Sequence, residues 1–142
     1  MTRGLGLLDA MIALAILTFG LLALTGLQGR TIARGTEAQS RLLASQFNDE
    51  LLSRVLVDVA NARCYTLPQV GNCSSPSALA STAAWASSVT AALPPPVSMS
   101  STLDVASGQL SVLITWTTKD RDVGSTASDI TRRQLAVTDV RP

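Results

Sequence analysis

Apolar residues run almost without interruption from Gly4 to Leu27, and the one charged position inside that run is Asp9. An α-helix rises about 1.5 Å per residue and a bilayer core is about 30 Å thick, so this stretch is long enough to cross a membrane. From Gln28 to about Asn61 the pattern turns amphipathic. Leu43, Phe47, Leu51, Val55 and Val59 recur at i+4, Leu42, Leu52 and Leu56 widen the stripe, and no proline interrupts it. The other face carries Arg41, Gln46, Asn48, Asp49, Glu50, Arg54 and Asp58 and reads as a solvated surface without chemistry. Together the two halves predict one helix from Leu5 to about Asn61, about 85 Å long. A domain of this size cannot bury that length, so the first half is expected to pack in lipid or against other subunits. Gly20, Gly26, Gly29 and Gly35 lie along the helix, either as weak points or as small residues that let helices approach closely.

The helical pattern ends near Arg63. The stretch Cys64 to Cys73, CYTLPQVGNC, carries turn signals at Pro68 and Gly71-Asn72 and closes a loop. A second helix is expected over Ala78–Leu93, with Leu79, Ala83, Ala86, Val89 and Leu93 at helical spacing and a stop at Pro94-Pro95-Pro96. Trp85 reads as its core anchor. Beyond the prolines the period shifts toward two, and Val97–Val105, Gln109–Thr118 and Ile130–Val140 read as strands. Alternation is clearest in Leu110, Val112, Ile114 and Trp116, and recurs in Leu135 and Val137, with Ile130 as a further apolar position. An antiparallel sheet packed on the upper half of the long helix would bury those faces. The fold class expected is α+β, a small antiparallel head on a long helical stem whose first half is transmembrane.

Composition narrows the chemistry. The 142 residues carry a net charge of +1 and no histidine, which removes the commonest general base and metal ligand. The basic residues are dispersed, so no nucleic-acid surface is expected, and Arg132-Arg133 alone is too small for one. Asp120 and Asp122 in the KDRD segment read as solvated loop carboxylates. There is no GxSxG, phosphate-binding or dinucleotide glycine pattern, so an enzyme is not expected, nor a metal site or cofactor. Cys64 and Cys73 lie too far apart for a CxxC motif. They read as a single disulfide if this part of the chain lies outside the cytoplasm, or as two buried thiols in a reducing compartment.

The short head MTRG, with Arg3, suits a secretory signal, but the apolar run is too long, carries an acid near its start and lacks an A-x-A site. Flanking charge points one way and the cysteines another. Arg30, Arg34 and Arg41 follow the run against Arg3 before it, whereas a disulfide needs the C-terminal part in an oxidising compartment. The expectation adopted follows the cysteines.

A charged head, Gly4, an apolar residue and an acid at the fifth position after that glycine, opening a long apolar helix, resemble the type IV pilins and pseudopilins. The matching stretch is RGLGLLDAMIALAILTFGLL, with Leu5 where the family usually has Phe and Asp9 where it usually has Glu. The resemblance implies cleavage after Gly4 by a prepilin peptidase, N-methylation of Leu5, and a role for Asp9 in assembly. It divides the chain into a leader at 1–4, a transmembrane half-helix at 5–27, an amphipathic half-helix at 28–62 and a periplasmic head at 63–142.

The cysteine pair, the WASSVTAALP segment from Trp85 to Pro94 and the VLITW strand from Val112 to Trp116 are similar to those of PilV-type minor pilins, the type IV pilus modification proteins. That likeness implies a subunit that joins other minor pilins in initiating a pilus, sits at or near its tip with the major pilin below, and supports a tip adhesin. It further implies an inner-membrane assembly platform as partner, a single pass through the bacterial inner membrane, and later a place in the pilus at the cell surface. The alternatives are an I-type minor pseudopilin of a type II secretion system and, more remotely, a membrane-anchored or secreted enzyme.

Overall fold

The structure, a computed structural model, describes residues 5–120 and 128–140. Helix α1 spans Leu5–Val57. A 3-10 segment follows at Val59–Tyr65, then helix α2 at Pro76–Ala92 and strands β1 at Val97–Asp104, β2 at Gln109–Asp120 and β3 at Ser128–Asp139. The strands form one antiparallel sheet in the order β1-β2-β3. The layout is α+β, a long N-terminal apolar helix with a small antiparallel sheet, consistent with a pilin-like fold. Two compact units divide the chain, Met1–Thr36 and Glu37–Pro142.

In the second unit the core joins one stripe of α1 to α2 and to one face of the sheet. Ala44, Leu51 and Val55 are fully buried, and Leu43 and Phe47 pack half-buried beside them. Leu42 and Leu56 do not widen this stripe; they lie on the exposed flank, because the buried face is centred on Ala44, Asn48, Leu51 and Val55. Asn48 departs from the expected polar face altogether, being 1% exposed, with its Nδ2 donating to the Gln134 carbonyl at 3.3 Å. The α-helix stops at Val57, short of Asn61, and tightens into the 3-10 segment. There the Tyr65 hydroxyl donates to Asp58 at 3.2 Å. Burial, reinforced by that carboxylate, pushes the Tyr65 phenol above its usual value.

α2 begins two residues earlier than its apolar spacing indicates. Ser75 caps it, the Ser75 hydroxyl accepting from the Ala78 N–H at 3.3 Å, with Pro76 at the first helical position. The buried face is Ala78, Thr82, Trp85 and Val89, and Leu93 closes it. Ala83 lies outside that face, which is one position out of phase with the alanine-rich spacing. Trp85 is the anchor: its ring is 1% exposed and its Nε1 donates to the Phe47 carbonyl of α1 at 2.8 Å. Arg54 ties the same two helices, donating to the Ser81 hydroxyl at 2.6 Å and its carbonyl at 3.2 Å.

β2 is the central strand and keeps the expected phase, with Leu110, Val112, Ile114 and Trp116 all buried. β3 does not. Leu135 is 59% and Val137 51% exposed, whereas the residues turned toward the core are Arg132, Gln134, Ala136 and Thr138. Register decides this, because Ile114 pairs with Gln134 and Val112 with Ala136, so the even positions of β3 share the buried face. Replacing Leu135 by Thr is therefore expected to change stability by no more than about 0.5 kcal/mol. Leu110→Ala is expected to cost about 2–5 kcal/mol, as a cavity in the sheet's buried face. Denaturant melts of the two variants check the pair.

The turn from β1 to β2 uses Gly108 at φ +71°. Asp104 accepts there from the Ser107 hydroxyl at 2.7 Å and the Ala106 N–H at 2.9 Å, which holds its carboxyl below the usual range. Both neighbouring strands run further into the β2–β3 connection than expected, β2 to Asp120 and β3 back to Ser128. The rest of that connection, including Arg121 and Asp122, lies outside the described residues.

Candidate functional site

The sequence points to the start of α1. Gly4 lies outside the described residues, and α1 is described from Leu5 onward. Asp9 follows one turn later on an exposed position. Around it the apolar side chains face outward in every direction: Leu8, Met11, Ile12, Leu14, Leu17 and Phe19 are each at least half exposed. A helix apolar on all sides is built for lipid or for burial among other chains, not for water. Among the described residues one helix, near the N-terminus, is long and apolar enough to span a membrane. It runs unbroken through Gly20, Gly26, Gly29 and Gly35, with open space around each glycine.

Between Leu5 and Leu27 only three side chains are polar: Asp9, Thr18 and Thr25. The two threonines satisfy themselves within the helix. Thr18 donates to the Ala15 carbonyl at 2.8 Å and Thr25 to the Leu22 carbonyl at 2.9 Å. Such back-bonding hides a hydroxyl from lipid at little cost. Asp9 has no equivalent, and among the described residues no ion pair or hydrogen bond engages it. Acidic side chains within apolar helices are rare and usually mark a functional pairing.

Of the two readings of Cys64 and Cys73 the disulfide is the one formed, with Cα atoms 5.0 Å apart. It pins the 3-10 segment to the residues leading into α2. Thr82 lies beside it, its hydroxyl 2.9 Å from the Ala78 carbonyl of its own helix and 3.3 Å from the Cys64 carbonyl. Loop-closure entropy over so short a loop predicts that replacing both cysteines by alanine lowers stability by about 2–3 kcal/mol. Comparing oxidised and reduced protein in urea checks the figure.

Two further features were not apparent from spacing. Glu37 accepts from both Arg41 at 2.7 Å and Arg132 at 2.8 Å, linking α1 to β3. These groups are part-exposed, so the pairs orient the two elements more than they stabilise them. The only local signal was Glu37 four residues before Arg41; Arg132 is remote in sequence. An open groove of about 610 Å³ lies between the 3-10 segment and the β1–β2 turn, lined by Arg63, Asn72, Leu103, Val105 and Val140. It holds no nucleophile–base pair. Among the described residues no three His, Cys, Asp or Glu side chains are grouped to hold a metal. No protein-family model matches the chain, and neither a curated protein nor a solved structure does.

Proposed function

We propose that this protein is a minor pilin, a subunit that helps initiate a type IV pilus and is incorporated at or near its tip with other minor pilins. The observation that carries the reading is the N-terminal part of α1, apolar on every side, with Asp9 the one acidic side chain between Leu5 and Leu27. Cleavage after Gly4 would create an amine at Leu5, cationic and stranded at a helix end in an apolar medium. A carboxylate one turn along, in the same or a neighbouring subunit, neutralises it. Pairing between subunits then sets their axial register, while the apolar surface packs among other helices.

In this reading α1 first anchors the chain in the bacterial inner membrane, with the disulfide-bonded head in the periplasm. A prepilin peptidase trims and methylates it, and the assembly platform passes it into the pilus. The head, with its disulfide loop and sheet, distinguishes this subunit from the major pilin and meets the other minor pilins or a tip adhesin. No catalysis and no cofactor form part of the proposal. Deleting the gene is expected to reduce surface pili and twitching, with both restored by the wild-type gene. Intact pili with impaired protein secretion would overturn the pilus assignment and transfer the subunit to a type II secretion pseudopilus.

A further inference from the structure

The groove between the 3-10 segment and the β1–β2 turn has a volume, about 610 Å³, in the range of sites that hold small ligands. Leu103, Val105 and Val140 supply apolar surface, and Arg63, Asn72 and Ser74 supply polar groups. Arg63 is the one charged residue among the described residues that line it, and it is exposed. Among the described residues no ion pair or hydrogen bond engages the Arg63, Asn72 or Ser74 side chains. The neighbouring carboxylates are held in their own turns, Asp58 by Asn61 and Tyr65 and Asp104 by Ala106 and Ser107, and neither lines the groove.

A stretch of free strand edge belongs to the same groove. Ser101 of β1 uses both its N–H and its C=O on Leu67, at 2.8 and 2.9 Å, on the side of β1 away from β2. Backbone groups of an antiparallel strand alternate in direction, so Leu103, two residues on, turns its own N–H and C=O to that side. No backbone group among the described residues meets them. Leu103 lines the groove and is half-buried, and the pairing that Leu67 makes at Ser101 does not reach it.

These features together select an occupant. A lone cation with no acid beside it among the described lining residues suits a negative charge, and the apolar surface suits a hydrophobic body. A fatty acid has both, but its hydrocarbon would cover the Leu103 N–H and C=O, the Asn72 amide and the Ser74 hydroxyl and leave them without partners. A peptide meets those groups with its own amides. A groove of this volume holds a few residues, which places the carboxylate at the end of a chain. We propose that the groove binds the C-terminal end of a partner polypeptide whose last residues are apolar. The terminal carboxylate meets Arg63, peptide groups pair with the Leu103 backbone, and the last side chains lie against Leu103, Val105 and Val140. The inference does not depend on the pilus reading.

The test uses the full chain in detergent micelles and the acetylated tripeptide Thr-Val-Leu with a free carboxylate. Adding it at millimolar concentration is expected to shift the Leu103 and Val105 amide resonances. Amidating the peptide's C-terminus is expected to weaken binding about fivefold, Arg63→Gln by the same factor, and the two changes together by no more than either alone, because both remove one exposed ion pair. 4-Methylpentanoate, a carboxylate on a branched apolar body without peptide groups, is expected to bind more weakly than the peptide. Unchanged resonances at millimolar peptide would overturn the proposal, as would equal binding of acid and amide. Binding of 4-methylpentanoate as tight as that of the peptide would overturn the peptide occupant and give the groove to a free carboxylic acid.

Discussion

If the protein is the proposed pilus subunit, Asp9→Ala is expected to leave the chain in the membrane but to lower its incorporation into pili on the order of a hundredfold, as when one partner of a desolvated ion pair is removed. The apolar run that holds α1 in lipid is untouched by this change; removing a charge makes insertion easier. On the proposed reading the variant loses the counter-charge for an amine at Leu5, and Asp9 is the only acidic side chain between Leu5 and Leu27. Asp9→Glu restores the charge with one more methylene of reach and is expected to be tolerated. Asp9→Asn keeps the shape without the charge and should behave like alanine. Quantifying the subunit in sheared pili against the membrane fraction reads all three, and normal incorporation of the alanine variant would show the acid to be dispensable.

Trp85→Ala is the largest stability loss expected in the head, about 3–5 kcal/mol. The ring lies between α1 and the sheet-bearing core, and its Nε1–H holds the Phe47 carbonyl at 2.8 Å, so truncation opens a cavity and cuts a helix–helix tie together. Small domains are stable by about 5–15 kcal/mol, so this change brings the head close to unfolding. Phenylalanine separates the two effects. Trp116 is equally buried, yet among the described residues its Nε1 finds no partner. Trp85→Phe is accordingly expected to cost about 1 kcal/mol more than Trp116→Phe, the worth of one hydrogen bond. Denaturant unfolding of the full chain in detergent measures both, and equal costs would remove the hydrogen bond from the account.

Local pattern made much of this fold legible. The apolar run, the Leu51–Val55 stripe and the alternation from Leu110 to Trp116 each repeat over enough residues to identify their element and their buried side. β3 shows where that stops. Its alternation is visible, but Leu135 and Val137 turn outward because register with β2 assigns the buried face to Arg132, Gln134 and Ala136. Asn48 is buried for a similar reason: its partner is the Gln134 carbonyl, 86 positions away, which no helical spacing can reveal. α2 shifted by one position because alanines mark a helical face weakly, whereas Trp85 fixes it by volume. The candidate site divides in the same way. Asp9 and its spacing from Gly4 can be read directly, but the proposed counter-cation, at a processed terminus or on another molecule, cannot.

The central claim is that α1 is a processed pilin anchor with its new terminus at Leu5. Intact-mass and N-terminal fragment analysis of the membrane-extracted protein tests it most directly. The account predicts a chain that begins at Leu5 and carries one added methyl group on its amine, with the Cys64–Cys73 bridge intact. A chain that still begins at Met1, or one cut after Thr25, would contradict it.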